Sequence, residues 1–196
     1  GAAEDRDAAV RNLETGVARS ARLIEQLLAV AREQHAGERE RAPLHLDELA
    51  RQVVAEWVPL AEAAGIDLGI AEAEVVRVLA EEDGLRVLLR NLIDNAIRYT
   101  PRGGRVDVRV TCQKGSPPRA ELSVTDTGPG IDPEHIPRLT ERFYRIDRSR
   151  SRETGGTGLG LASVKHVAQR HDAQLHIDSR PGQGSRFAIT FPPRRV

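Results

Sequence analysis

The chain has 196 residues, 39% of them hydrophobic and 30% charged, and a formal net charge of zero. That composition fits a globular domain with an appendage and excludes a disordered chain. A balanced charge removes the bulk electrostatic case for a nucleic-acid or membrane-surface partner. No apolar run approaches the roughly 18 residues of a membrane span, so no direct membrane contact is expected of this stretch. The start at Gly1-Ala2-Ala3, without methionine, suggests a cut or processed end.

From Val10 onward, apolar or small residues fall at Val10, Leu13, Val17, Ser20, Ile24, Leu27 and Ala31. This alternating three-four spacing predicts a long helix with a coiled-coil or bundle seam. The stripe needs a partner, either an upstream hairpin arm or a second subunit, unless it packs on its own domain. Gly37 ends the helix and Pro43 marks a linker. Domains are therefore expected at 1–38 and 43–196. Leu44 to Leu46 reads as a short strand. Asp47 is expected to cap a helix to Ala64 with Leu49, Val53, Val54, Trp57 and Leu60 inward, Pro59 as a candidate kink and Gly65 as its stop.

Ile66 to Ile70 and Val75 to Leu79 read as strands, followed by a helix from Glu81 to Tyr99. Arg105 to Cys112 and Ala120 to Thr125 alternate as strands. The single cysteine, Cys112, rules out a disulfide framework, and no ligand-type cluster stands beside it to make a zinc site; its place in a strand predicts a buried small hydrophobe. A helix from Leu159 to His171 and strands Gln174 to Asp178 and Ser185 to Phe191 complete an α+β fold, a two-layer sandwich with a mixed sheet. Lys114 and Lys165 are the only lysines, which leaves 27 arginines. That bias suits phosphate recognition by a planar fork of donors, and genome base composition explains it equally well.

Three segments carry chemistry. In Arg90-Asn91-Leu92-Ile93-Asp94-Asn95-Ala96-Ile97-Arg98-Tyr99-Thr100-Pro101, Asn91 and Asn95 stand four apart on one helix face. Their neutral amides suit a hard cation without adding negative charge beside a polyphosphate. The turns Asp126-Thr127-Gly128-Pro129-Gly130 and Gly155-Gly156-Thr157-Gly158-Leu159-Gly160 offer backbone that a ligand can approach closely. The second turn is not a dinucleotide fingerprint, because Ser163 occupies the third glycine's position and the preceding Arg148 to Thr154 is polar rather than a strand. No Walker A motif occurs. A glycine loop opening onto a helix remains, with amides aimed at an anion and the helix dipole behind them.

In this order the motifs resemble the ATP-binding domain of sensor histidine kinases, within the superfamily shared with gyrase-type ATPases, heat-shock chaperones and mismatch-repair clamps. The resemblance covers about residues 43 to 193: an asparagine box at Arg90 to Pro101, a first glycine box at Asp126 to Ile131, a phenylalanine box at Arg142 to Asp147 and a second glycine box at Gly155 to Leu161. It implies a Bergerat-type fold and a cofactor, ATP with Mg2+. Asn95 would ligate the metal, Asn91 would support metal and phosphates, and Arg98 falls where the family often has a phosphate-contacting lysine. Tyr99 would pack on the nucleotide, and Asp126 would accept the adenine amino hydrogen. Gly128, Gly130 and Ile131 would shape the pocket floor, with Ser185 adding a water-mediated contact to the base. Arg145 would reach the γ-phosphate, and Thr157, Gly158, Leu159 and Gly160 would wrap the phosphates.

The resemblance also implies the partners: a homodimer through a helical hairpin whose second helix is residues 1–38, a response-regulator receiver domain, and no nucleic acid. It implies the cytoplasmic portion of a bacterial inner-membrane sensor. Two departures stand out. Thr140 occupies the position, three before Phe143, where the family often has phenylalanine. None of the six histidines, His35, His45, His135, His166, His171 and His176, is followed by Glu and then, after two residues, Thr or Asn, so the phosphoacceptor is expected upstream. The rivals are an ATP-hydrolysing clamp or chaperone on the same fold, and a nucleotide-sensing module. In the hydrolases a glutamate four before the metal-binding asparagine activates water, and here that residue is Asn91, which is no base.

Overall fold

Val106, Val108 and Val110 alternate along one strand and are fully buried, and the sheet they anchor organises the molecule. The computed structural model describes residues 41–113, 115, 117–146 and 157–193. The predicted helix over residues 1–38 and Gly155-Gly156 at the start of the second glycine box lie outside the described residues. The chain divides into a unit of 40–146 with 158–196 and a second unit of 1–39 with 147–157, of which Thr157 alone is described.

The elements of the larger unit are β1 (Ala42–His45), α1 (Leu46–Ala64), β2 (Asp67–Ala73), β3 (Arg77–Ala80), α2 (Glu82–Tyr99), β4 (Arg105–Gln113) and β5 (Arg119–Asp126). A 3-10 turn at Ile136–Arg138, then α3 (Gly160–Arg170), β6 (Gln174–Ser179) and β7 (Ser185–Thr190) follow. The main sheet runs β2-β4-β5-β7-β6, and β1 pairs with β3 in a separate two-stranded sheet. Among the described residues only β2 and β4 run parallel, and the other pairings are antiparallel, so the sheet is mixed and the class is α+β. The helices supply the second layer. Leu85, Leu88, Leu89, Leu92, Ile93 and Ala96 recur at the spacing of one helical face, and α2 buries that face in the core with Val53 of α1 and Val164 of α3.

Three sequence expectations are corrected. The helix cap is His45 rather than Asp47, and it makes no side-chain cap bond; Asp47 sits inside the first turn, where its carboxylate accepts from Arg51 Nη1 at 2.8 Å one turn on. Leu60 is 57% exposed and faces outward, because the buried face of α1 runs through Val53, Val54, the half-buried Trp57 and then Ala61, one residue past it. Cys112 is exposed although it shares the parity of Val110; it lies near the end of β4, two residues beyond Val110, the last β4 residue paired with β2. Gly65 ends α1 as expected, in the left-handed conformation at φ 73° with its N–H donating to Glu62 O at 2.9 Å.

Candidate functional site

Next to its apolar face, α2 presents a second stripe that the core does not absorb: Asn91, Asn95 and Arg98, all half-buried. Asn91 Nδ2 donates to Val87 O at 2.9 Å, which commits the amide nitrogen to the helix and leaves Oδ1 as the outward group. That oxygen faces the start of α3: a Cβ added to Gly160 would sit 3.2 Å from Asn91 Oδ1. A hard oxygen donor thus stands against the first residue of a helix. The first i to i−4 bond of α3 is Ser163 N to Leu159 O at 2.9 Å, so the first-turn amides ahead of it have no partner within the helix, the arrangement that favours anions. Arg98 is turned along its own helix, its Nη2 lying 3.1 and 2.8 Å from the two carboxylate oxygens of Asp94. Tyr99, at the end of α2, is exposed.

The first glycine turn leaves β5 at Asp126, a carboxylate only 6% exposed. Its Oδ1 accepts from Gly128 N at 2.8 Å, which folds the turn back onto the aspartate. Burial pushes the Asp126 carboxyl above the usual carboxylate range, against the opposing pull of the Gly128 and Ser185 amides. Gly128 is required by space: a Cβ there would meet Asp126 Oδ1 at 2.7 Å and Tyr99 O at 3.1 Å. Gly130 is required by both space and conformation, with φ 72° and Arg180 O only 1.9 Å from an added Cβ.

Across the sheet, Asp126 pairs with Ser185 in the β5 to β7 register. Ser185 Oγ lies 3.0 Å from Ser179 Oγ, which also reaches Gly184 O at 2.9 Å and accepts from Ile131 N at 2.8 Å. Asp126, Gly128, Gly130, Ile131 and Ser185 are therefore brought together around the ends of β5, β6 and β7, beside the C-terminal end of α2. Ser179 joins them, and sequence reading missed it. Its signal was its place directly before the Arg180-Pro181-Gly182 turn, whose Gly182 N–H donates to Pro129 O at 2.6 Å.

Leu159 is buried and Gly158 is left-handed at φ 73°, its carbonyl accepting from Phe143 N at 2.9 Å. Arg145 follows two residues after Phe143 and is half-buried. Thr157 belongs to the other unit. Thr140 Oγ1 accepts from Lys165 Nζ of α3 at 3.4 Å, a polar tie at the position where the sequence departs from phenylalanine. Among the described residues no helix is long and apolar enough to cross a membrane.

Residues 80–195 match the family described as histidine kinase-, DNA gyrase B- and HSP90-like ATPase. The phosphate regulon sensor protein PhoR of Pseudomonas aeruginosa is 44% identical over 154 residues, 79% of this chain and 34% of that protein. The sensor-like histidine kinase SenX3 of Mycobacterium bovis is 38% identical over 174 residues, 87% of this chain and 41% of that protein. The crystal structure of full-length ShkA in complex with AMPPNP superposes with a TM-score of 0.73 at 31% identity, covering 87% of this chain and 35% of that one. The chain thus spans well under half the length of these curated relatives.

Proposed function

The chain belongs to the family of histidine kinase-, DNA gyrase B- and HSP90-like ATPases and matches the catalytic domains of sensor histidine kinases, and from that premise we propose that it binds Mg2+-ATP and donates the γ-phosphate to a histidine on an upstream hairpin helix. The phosphoryl group then passes to an aspartate of a response regulator, in a homodimeric sensor anchored at the inner membrane. The observation that carries this reading is the approach of Asn91 Oδ1 to Gly160: an oxygen suited to a hard cation beside helix amides suited to phosphates. The ShkA complex with AMPPNP supports an adenosine triphosphate as the ligand.

In this reading Asp126 accepts from the adenine amino group, with Gly128, Gly130, Ile131 and Ser185 around the base and Tyr99 packed on the nucleotide. Asn95 and Asn91 hold the metal and its hydration shell, and Mg2+, when bound, offsets phosphate charge. Thr157, Gly158, Leu159 and Gly160 wrap the phosphates with backbone amides, and Arg145 and Arg98 add positive charge at their outer end. An imidazole acceptor is its own nucleophile, so this domain needs little beyond positioning and charge stabilisation. The commitment of the Asn91 amide to Val87 O favours transfer over hydrolysis, because the position of a water-activating base holds a neutral amide pinned to its own helix.

Calorimetry with ATP and GTP in the presence of Mg2+ tests the proposal. Saturable ATP binding with GTP much weaker is expected, and equal affinity for the two, or none for either, would remove the adenine-binding reading.

A further inference from the structure

Tyr144 is gripped from two sides by residues that belong to none of the nucleotide motifs. Its hydroxyl lies 2.9 Å from His135 Nδ1, with the rings tilted by 50° and their centroids 6.3 Å apart. The guanidinium carbon of Arg138 stands 4.3 Å from the centroid of the Tyr144 ring, a cation–π contact. The 3-10 turn Ile136–Arg138, capped by His135, brings both partners to the tyrosine. Each is itself steadied: Arg138 Nε reaches Glu141 Oε2 at 3.3 Å, and Glu134 Oε1 lies 3.4 Å from His135 Nε2. With the imidazole proton on Nε2 towards Glu134, Nδ1 is an acceptor for the tyrosine O–H.

The grip has something to hold. Phe143, immediately before Tyr144, is left-handed at φ 64°, a conformation an aromatic residue keeps only where its surroundings over-determine it. Phe143 is also 63% exposed, so its own side chain contributes little packing. Its N–H donates to Gly158 O at 2.9 Å, and Tyr144 N–H to Glu141 O at 3.3 Å, so the backbone turns sharply at this point. Arg145 is the next residue, and the direction in which it leaves is set by the residue before it.

We propose that His135 and Arg138 are positioning residues for Arg145: by clasping Tyr144 they fix the left-handed turn at Phe143 and so aim Arg145 at the terminal phosphate. This rests on the nucleotide reading above. The clasp acts on recognition of the third phosphate and not on the base pocket, which is built around Asp126 on other elements. It therefore separates ATP from ADP.

The test measures ATP and ADP affinities calorimetrically, with Mg2+, for the wild-type chain, His135→Ala, His135→Asn, Tyr144→Phe and the double variant His135→Ala with Tyr144→Phe. The wild type is expected to prefer ATP. That preference should fall roughly fivefold in His135→Ala and in Tyr144→Phe with ADP affinity unchanged, the loss expected from one neutral hydrogen bond. The double variant should fall no further, since both changes remove the same bond. His135→Asn, whose amide oxygen replaces Nδ1 as acceptor, should keep the preference. An unchanged preference in the two single variants, a parallel loss of ADP binding, or failure of the asparagine to rescue would overturn the clasp. A wild type that binds both nucleotides equally would overturn it too, and one that binds neither would instead sink the nucleotide reading.

Discussion

Gly158 and Phe143 meet through one backbone hydrogen bond of 2.9 Å, and both residues are left-handed, at φ 73° and 64°. The contact is tight enough that a Cβ on Gly158 would fall 2.8 Å from Phe143 Cα. Gly158→Ala therefore combines a conformational penalty of about 1 to 2 kcal/mol with a backbone clash. Both act at a loop junction and not in the core. The expected outcome is ATP affinity reduced by about tenfold or more together with a melting temperature lower by several degrees, since the penalty falls on the folded state. Calorimetry and a thermal melt on the same sample check it.

Asp126→Asn should separate stability from binding. The folded protein raises the Asp126 pKa through burial, so this group favours the folded state at low pH and withdraws that support as pH rises through its folded pKa. At neutral pH the buried charge is a cost, and asparagine removes it while its side-chain oxygen still accepts from Gly128 N. The variant should melt higher than wild type at pH 7, with the advantage shrinking towards acid pH. Its ATP affinity should fall, since an ionised acceptor is typically worth about 1.5 to 3 kcal/mol to a hydrogen bond. A lower melting temperature together with unchanged affinity would contradict both halves.

His171 supplies a second pH-dependent term. It is buried, with Nδ1 2.8 Å from Val167 O and Nε2 accepting from Glu81 N at 3.0 Å, an arrangement that fits the neutral imidazole with its proton on Nδ1. Burial holds its pKa below the ordinary histidine value, aided by Arg41 and Arg170 and opposed by Val167 O and Glu81. A depressed folded pKa gives stability that is present above the unfolded value and lost as pH falls through the folded one. Thermal stability should decline below about pH 6.5, and less steeply in His171→Gln. Parallel stability curves for the two proteins would remove His171 from the acid response.

Two glycines of one turn give a controlled comparison. Gly182 and Gly184 are both left-handed, at φ 78° and 77°, yet an added Cβ meets nothing within 4 Å at Gly182 and Asp126 O at 2.0 Å at Gly184. Gly182→Ala should cost only the conformational term, about 1 to 2 kcal/mol. Gly184→Ala should cost clearly more and disturb the Asp126 strand end, so denaturant midpoints should rank wild type, Gly182→Ala, Gly184→Ala. Equal losses would show that the turn yields without moving β5.

Much of the fold could be read from periodicity. The 3.6-residue spacing of Leu85, Leu88, Leu89, Leu92, Ile93 and Ala96 and the alternation of Val106, Val108 and Val110 both end on the buried side. The errors came where a local pattern was extended a residue or two too far. Leu60 stands one residue off the face that Ala61 continues, Cys112 continues the alternation of β4 two residues beyond its last pairing with β2, and Asp47 has a cap residue's chemistry two positions past the cap His45. The chemistry of the site was legible as residue types, because Asn91, Asn95 and Asp126 stand within short segments. Its geometry was not. Ser179 reaches Ile131 from 48 residues away, and Tyr144 finds His135 through a 3-10 turn that carries no periodic signal.

The central claim is that this domain presents a triphosphate to a histidine it does not itself carry. The most direct measurement incubates the purified chain with γ-labelled ATP and Mg2+ and follows acid-labile label on the protein together with free phosphate. The account predicts bound nucleotide, no label on any of the six histidines and negligible phosphate release. Label should appear only when an upstream acceptor helix is joined to the same chain, and then on that helix. Stable acid-labile label on His35, His45, His135, His166, His171 or His176 of the chain by itself, or steady phosphate release, would contradict it.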